Sequence, residues 1–292
     1  MPEATTHDAP LTVVLVHGAF ADASSWNGVV ERLQAAGVQV TAPPNPLRGI
    51  AHDSAYLASF LNQIPGPVLA VGHSYGGAVI SNAATAASNV VGLVFVAAFA
   101  PEEGERLGDV EGDSKDSVLN STLVPLQYPV GDGGETAVEF AIDPAKFHDA
   151  FAADLPLGLA ATQRPVAELA FAEPSGPPAW ESRPSWSVVA TGDKAAGADL
   201  VRSMAERAGA TITEAEGSPV IMISRRGDLG RCSSRRRARR RRGPLAMAAT
   251  SPTVDLPELD GIEVPFHNDG SGTDASDRCA EVGDAATVVH DG

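Results

Sequence analysis

The length and composition of the chain are those of an ordinary globular protein. Its 292 residues are enough for one large α/β domain or two small ones with a sizeable core. No stretch approaches the roughly 18 consecutive apolar residues of a membrane-spanning helix, and the acidic start lacks a secretory pattern. The two cysteines, Cys232 and Cys279, have no metal-like spacing. The sequence therefore predicts a cytoplasmic protein with no metal, no cofactor and no membrane partner.

Strands and helices alternate strictly over the first hundred residues. Short apolar runs predict buried strands, and stretches with apolar residues on one face predict helices between them. This alternation is typical of βαβ units, so we predict an α/β fold with a doubly wound, mostly parallel sheet. The predicted order is strand 12–16, helix 25–36, strand 38–42, helix 52–64, strand 68–72, helix 76–87 and strand 90–97.

The alternation stops after residue 100 and resumes near residue 187. Between 101 and 182 the sequence predicts no strand of the parallel sheet, only polar loops and weak helical stretches at 144–154 and 165–173. An insertion of this length between sheet elements indicates a cap, which we expect to be helical. The pattern then resumes with a strand at 187–191, a helix at 198–208 and a strand at 211–216.

Charge changes abruptly near the end of this pattern. The net charge is −16, yet ten arginines lie between Arg225 and Arg242. A block of like charge repels itself and stays solvated, and the residues after it are rich in Gly, Pro, Asp, Ser and Thr. We therefore expect a folded domain over 10–224 and an arginine-rich, then low-complexity and disordered tail over 225–292.

The arginine block has two further interpretations. It resembles a patch for nucleic acid or an anionic membrane. Lysines and aromatic residues are absent from it, however, and no nucleic-acid-binding fold precedes it, so no specific nucleic-acid partner is predicted. Alanine-rich coding sequence read in another frame yields arginine. The second interpretation is therefore that 225–292 is a frame-shifted extension.

A serine lies between a predicted strand and a predicted helix, in the G-x-S-x-G pentapeptide Gly72-His73-Ser74-Tyr75-Gly76. A sharp turn there projects the serine hydroxyl from the carboxyl edge of the sheet, and the glycines keep side chains out of the crowded corner. The backbone N–H of Tyr75, at the start of the helix, then points toward a developing oxyanion. Ser74 is therefore the candidate nucleophile, and a tight turn without function is the alternative.

A second turn, His17-Gly18-Ala19-Phe20, follows the first strand. Gly18 lets the backbone approach a substrate, and the N–H of Ala19 or Phe20 is the candidate second oxyanion donor. A plain connection from strand to helix is the alternative.

Four separated motifs carry a resemblance to a known family. The chain resembles the α/β-hydrolase superfamily over about residues 10–224, and within it the esterase branch similar to plant methylesterases and hydroxynitrile lyases. The resemblance implies a serine esterase that acts on small carboxylic esters, needs no cofactor, and has its triad in the order serine, acid, histidine. The motifs are VLVHGAFADASSW at 14–26, VGHSYGG at 71–77, VFVAAFAPEEGE at 94–105 and VATGDKA at 189–195.

The resemblance also assigns the acid and the base of the triad. It implies Asp193 as the acid, just after the strand at 187–191, where a carboxylate orients an imidazole; a turn-forming Gly-Asp pair is the alternative. It implies a histidine after the last strand, in a Gly-x-His context, but the chain has Gly217-Ser218-Pro219 there. Proline cannot transfer a proton, and loss of one triad member typically lowers turnover on the order of 10⁴–10⁶-fold.

Several alternatives stay open. Among the seven histidines, His148 in the cap and His267 in the tail are the candidates to replace the missing base. A catalytically inactive, hydrolase-like binding protein or a damaged gene product is the second functional hypothesis. A hydroxynitrile-lyase-type lyase is the third, and it is disfavoured because those relatives carry a lysine where this chain has Val220. The sequence does not indicate the oligomeric state.

Overall fold

Strands and helices alternate along the computed structural model, which describes residues 9–151 and 158–224. The strands are β1 (Thr12–Val16), β2 (Gln39–Thr41), β3 (Val68–Ser74), β4 (Val90–Ala98), β5 (Leu123–Val130), β6 (Glu135–Ile142), β7 (Val166–Ala167), β8 (Ser185–Ala190) and β9 (Thr211–Ala215). The helices are α1 (Asn27–Ala35), α2 (Ile50–Leu61), α3 (Tyr75–Ala83), α4 (Leu107–Gly112), α5 (Phe147–Ala150), α6 (Gly158–Thr162), α7 (Leu169–Ala172), α8 (Ala198–Arg207) and α9 (Ile221–Ser224). Short 3-10 turns lie at Ala23–Trp26, Ala84–Ala86, Leu119–Thr122 and Ala179–Glu181.

Six of these strands form one parallel sheet in the order β2-β1-β3-β4-β8-β9. From β1 the chain moves to β2 on one side, and it then returns to β3 on the other side. The direction of winding therefore reverses between β1 and β3, and ligands of such sheets bind outside the carboxyl ends of the strands at this reversal. The predicted doubly wound parallel sheet is confirmed.

The centre of the sheet is buried because its strands are apolar on both faces. All of β1 is buried, and β4 is buried except for one residue near its start. Helix α3 packs on β3 and β4, α2 packs on α3, and α8 packs on β4 and β8. Uniformly apolar runs are the pattern expected for parallel strands that are covered on both sides, which explains why these strands could be predicted.

The cap between β4 and β8 is only partly the helical unit that the sequence predicted. It contains the short helices α4 to α7, but it also contains a three-stranded antiparallel sheet of β5, β6 and β7. The glycine-rich segment 131–134 turns the chain between β5 and β6, as in many hairpins. Pro125 and Pro129 lie in β5, and prolines argue against a strand in sequence analysis. They are tolerated here because β5 is an edge strand.

The remaining expectations differ from the structure in their boundaries or fall outside it. The predicted helix 52–64 is α2, which begins two residues earlier, and the predicted strand 187–191 is β8, which also begins two residues earlier. The tail at 225–292 lies outside the described residues, so its disorder and its frame-shifted origin stay predictions. Within the described residues no helix is long and apolar enough to cross a membrane, and the cytoplasmic location stays a prediction.

Candidate active site

Ser74 lies at the junction of β3 and α3 in a conformation that side chains rarely adopt. Its φ is 51° and its ψ is −123°, so the turn stores backbone strain of the kind found at functional sites. A Cβ at Gly72 would lie 2.5 Å from the carbonyl oxygen of Gly76, and a Cβ at Gly76 would lie 2.6 Å from that of Val16. Both glycines of the pentapeptide are therefore required for the turn to close against the end of β1.

The turn after β1 packs directly against the serine. A Cβ at Gly18 would lie only 2.7 Å from Cβ of Ser74, so the two turns fit together only because residue 18 has no side chain. Ala19 and Phe20 follow and are buried, and Phe20 has a positive φ of 60°. The structure thus brings together the candidate nucleophile and the turn that holds the candidate oxyanion donors Ala19 and Phe20, next to the N-terminus of α3 at Tyr75.

His17 fixes this turn and is not available as a base. Its Nδ1 lies 2.9 Å from the carbonyl oxygen of Gly18, and its Nε2 accepts a 3.0 Å hydrogen bond from the backbone N–H of Asn45. The Asn45 side chain in turn donates to the carbonyl oxygen of His17. Burial lowers the pKa of His17, so the ring is neutral with its hydrogen on Nδ1.

Asp193 is buried in the turn that follows β8, and one of its two side-chain oxygens has no hydrogen-bond partner among the described residues. Oδ1 accepts hydrogen bonds from the backbone N–H groups of Ala195 (2.9 Å) and Ala196 (3.0 Å). Oδ2 is buried and makes no hydrogen bond within residues 9–151 and 158–224. Burial raises the pKa of Asp193 to about 6, although the backbone donors oppose the shift. An unpaired buried carboxylate oxygen is costly, and it is the atom that would receive an imidazole N–H.

Pro219 is buried in the loop between β9 and α9, and two hydrogen bonds hold this loop in the site. Nε2 of His73 lies 2.9 Å from the carbonyl oxygen of Pro219. The backbone N–H of Gly192, beside Asp193, donates a 2.9 Å hydrogen bond to the carbonyl oxygen of Gly217. The loop that carries position 219 is therefore fastened both to the serine turn and to the aspartate turn. The structure thus links the segments that carry Ser74, Asp193 and Pro219, while their assignment as a triad stays a prediction.

The other histidines do not complete the site within the described residues. His52 is exposed and lies 3.0 Å from Asp53, and His148 in α5 packs edge-on against Phe147. In the part of the chain that the structure describes, no hydrogen bond joins the Ser74 hydroxyl to a histidine. His267, the second candidate substitute, lies outside the described residues, as do His7 and His290.

A cavity of about 250 Å³ lies beside the oxyanion turn. The turn contributes Ala19 and Phe20 to its wall, the cap contributes aromatic and aliphatic side chains, and the loop after position 219 contributes two more. Polar groups lie at the side formed by the 3-10 turn and the start of α1. The lining residues are Ala19, Phe20, Ala21, Asp22, Ser24, Ser25, Asn27, His73, Phe147, Phe151, Leu159, Thr162, Val220 and Ile223.

Sequence reasoning did not identify two details of this site. The first is an aromatic pair in the cap: Phe147 and Phe151 are four residues apart, their rings lie 4.9 Å apart, and both line the cavity. That i, i+4 spacing was a usable sign of a helical face. The second is His73, whose contact with Pro219 spans 146 residues. No local pattern in the sequence indicates a contact of that range.

The comparisons with known proteins agree with this architecture. A family model described as "Alpha/beta hydrolase family" matches residues 13–229, whereas a comparison with curated protein sequences found no significant match.

Solved structures with a similar fold include a polyneuridine aldehyde esterase (22% identity, TM-score 0.62, 78% of this chain and 100% of that one covered). They also include a pyrethroid hydrolase from Sphingobium faniae JZ-2 (20%, 0.58, 78% and 97%). A third is tomato methylketone synthase I complexed with 2-tridecanone (21%, 0.59, 79% and 98%). At these identities the similarity shows the fold.

Proposed function

The chain belongs to the alpha/beta hydrolase family, and on that premise we propose that it is a serine hydrolase of esterase type whose general base is missing. In this proposal Ser74 attacks the carbonyl carbon of a small carboxylic ester. The backbone N–H groups of Tyr75 and of Ala19 or Phe20 stabilise the oxyanion, and Asp193 is the acid of the triad.

The geometry of the serine turn supports the nucleophile. The strained φ of 51° at Ser74 is maintained by glycine contacts that no side chain would permit. A merely structural turn has no need of such strain, which is typical of sites where a side chain must project into a reaction space. The turn at Gly18 packs so closely on the serine that a Cβ at Gly18 would lie 2.7 Å from Cβ of Ser74, which supports oxyanion donors from both sides of the serine.

One observation carries the second half of the proposal. The buried Oδ2 of Asp193 has no hydrogen-bond partner among the described residues, while the residue on the facing loop is Pro219. In a complete triad this oxygen accepts a hydrogen bond from the histidine that activates the serine. Without that imidazole the serine hydroxyl is a poor nucleophile, so we expect the natural chain to turn over esters only at the residual rate that the oxyanion donors and binding support.

The cavity supports a small and mainly apolar substrate. It has a volume of about 250 Å³, which corresponds to roughly eight water molecules, and it is lined by Phe147, Phe151 and Leu159 from the cap. Two of the structurally similar proteins are named as an esterase and as a pyrethroid hydrolase, and the names agree with ester cleavage. We propose an ester with a compact apolar acyl or alcohol group as the substrate class.

The test restores the base. Turnover of p-nitrophenyl acetate and labelling by a fluorophosphonate probe are measured for the natural chain, for Pro219→His, and for Pro219→His combined with Ser74→Ala. We expect the single variant to gain about 10²–10⁴-fold in turnover, the usual contribution of a positioned general base. The double variant controls for reaction at other nucleophiles and should show neither labelling nor added turnover.

An inactive binding protein is the second candidate, and the unpaired Asp193 oxygen also favours it. A chain that has lost its base can retain a pocket, so this candidate predicts that apolar ester analogues bind without turnover. It also predicts that Pro219→His gains no activity, because other groups of the site are no longer positioned for catalysis. Absence of Ser74 labelling in both the natural chain and the Pro219→His variant would overturn the esterase proposal. The lyase alternative has no supporting observation, since Val220 lines the cavity where those relatives carry lysine.

A further inference from the structure

His73 precedes the candidate nucleophile and contacts three parts of the site. Its Nε2 lies 2.9 Å from the carbonyl oxygen of Pro219. Its Nδ1 lies 2.9 Å from the position that a Cβ on Gly18 would occupy. Trp26 packs edge-on against its ring, with the ring centroids 6.3 Å apart. The residue is 1% exposed, so its ring is enclosed by these contacts.

The contacts also determine which ring nitrogen carries the hydrogen. Burial lowers the pKa of His73 to about 4, so the imidazole is neutral at physiological pH and has one N–H. A carbonyl oxygen can only accept a hydrogen bond. The hydrogen must therefore be on Nε2, and it is donated to Pro219. Nδ1 is then a bare acceptor against Gly18, and it has no hydrogen-bond partner among the described residues.

We propose that His73 is a positioning residue: its Nε2–H holds the backbone of residue 219 and thereby sets where a side chain at that position enters the site. This inference rests on the proposed function, because it concerns the general base of that reaction. The hydrogen bond directly joins the serine turn to the loop 216–220 between β9 and α9, which we call the base loop. A second hydrogen bond, from Gly192 to Gly217, holds the base loop to the turn that carries Asp193.

The proposal predicts that kcat depends on the hydrogen bond that Nε2 of His73 donates to residue 219. A shift of about 1 Å in a catalytic group can lower turnover on the order of 10²-fold. If His73 aligns position 219, removal of its donor misplaces an imidazole there and lowers kcat. His73 is one of the 14 residues that line the cavity, so its substitution should change KM by less than it changes kcat.

The activity experiment uses the Pro219→His chain as its starting point. Glutamine at position 73 places an N–H near the position of Nε2, whereas asparagine is polar but too short, and phenylalanine has the ring without the donor. We expect Pro219→His/His73→Gln to keep kcat within about threefold, and the Asn and Phe versions to lose about tenfold or more. His52→Gln and His52→Phe, at an exposed histidine, are the matched controls. Equal loss of kcat with Gln, Asn and Phe would overturn the proposal.

A second measurement tests the positioning without any activity. Hydrogen exchange of the Gly192 amide reports on the base loop, because this amide donates to Gly217. In the natural chain, His73→Asn and His73→Phe should raise its exchange rate about tenfold, while His73→Gln and the His52 variants should not. If Pro219→His gains no activity, the proposed function fails, but this measurement still decides the role of His73. Unchanged exchange in the Asn and Phe variants, with cooperative unfolding retained, would overturn it.

Discussion

The hydroxyl of Tyr75 donates a 2.9 Å hydrogen bond to Oδ2 of Asp53 in α2. Both side chains are completely buried, and Asp53 also accepts hydrogen bonds from the backbone N–H of Arg48. One carboxylate thus connects the helix after the nucleophile to α2 and to the loop before it. Burial raises the pKa of Tyr75 well above its usual value, and the Asp53 charge adds to the shift. The phenol therefore remains a donor at neutral pH.

Tyr75→Phe should lower the free energy of unfolding by about 1–3 kcal/mol, because a buried carboxylate loses a donor and cannot recover it from water. The measurement is urea unfolding at pH 7. The backbone N–H at position 75 is retained, so Ser74 labelling in the Pro219→His chain should persist. Tyr56→Phe, at a tyrosine that is 41% exposed, should change the free energy by less than about 0.5 kcal/mol. Equal effects at the two tyrosines would contradict the assignment.

Gly18→Ala should disrupt the site, because its Cβ would lie 2.7 Å from Cβ of Ser74 and 2.9 Å from Nδ1 of His73. Overpacking of this kind typically costs about 1–3 kcal/mol. Relief by displacement of the turn would also move the candidate oxyanion donors. In the Pro219→His chain we expect a lower unfolding free energy and loss of fluorophosphonate labelling. Gly133→Ala is the matched control, since nothing lies within 4 Å of its Cβ position, and it should leave both quantities unchanged.

The parallel sheet could be predicted because each of its central strands is marked by residues that are neighbours in the sequence. A run such as Thr12–Val16 is β-branched or apolar at every position and is buried at every position, and the turns that follow such runs carry the glycines. The cap could not be predicted in the same way. Strand β5 has exposed apolar residues, including Val124 and Leu126, and two prolines. It owes its conformation to pairing with β6 rather than to its own pattern.

The candidate site likewise has residues that the sequence predicted and contacts that it did not. Ser74 ends β3, and the turn at Gly18 and Asp193 follow β1 and β8 at the carboxyl edge of the sheet. Sequence order was therefore enough to expect them near one another. The contacts that connect them are between distant residues. Two examples are the hydrogen bonds from His73 to Pro219 and from Ser117 to Ala195. Each depends on how loops from distant parts of the chain pack together, which the spacing of apolar residues does not indicate.

Asp193 and His73 should give opposite pH dependences of stability. For Asp193 the pKa rises from 3.8 to about 6 on folding, so the folded state binds the extra proton. Its contribution to stability is greatest at low pH and falls as the pH rises from about 4 to 6. For His73 the pKa falls from 6.5 to about 4 on folding. The unfolded state binds that proton, and stability rises as the pH increases from about 4 to 6.5.

Single variants separate the two contributions. Asp193→Asn should remove the contribution to stability that falls as the pH rises. The variant should therefore gain stability relative to the natural chain between pH 4 and 6, on the order of 2–3 kcal/mol. His73→Gln should remove the rising contribution and lose relative stability over the same range. Urea unfolding at half-unit pH intervals from 4 to 7 measures both differences. Parallel curves for the natural chain and either variant would refute the assigned shift for that residue.

Glu111 in α4 contacts Ser117, which in turn contacts Ala195 beside Asp193, and so it connects the cap to the turn that carries Asp193. It is 4% exposed and bonds the Ser117 hydroxyl and the Asn120 amide. The Ser117 oxygen also lies 2.7 Å from the carbonyl oxygen of Ala195. A hydroxyl has one hydrogen and cannot donate to both. Both contacts can form when Glu111 is protonated and donates to Ser117, and burial shifts the pKa of Glu111 in that direction.

Glu111→Gln should therefore be tolerated, because an amide donates to Ser117 and accepts from Asn120 as the neutral acid does. Glu111→Ala leaves both partners unpaired and removes buried atoms, so we expect a loss of about 2–4 kcal/mol in unfolding free energy. Since the pKa of Glu111 is raised on folding, the natural chain should also lose stability relative to the Gln variant as the pH rises above the ordinary carboxyl range. Glu103→Gln and Glu103→Ala, at an exposed glutamate of the same cap, are the matched controls for urea unfolding. A Gln variant as unstable as the Ala variant would show that Glu111 is bound as a carboxylate, and that Ser117 donates to it rather than to Ala195.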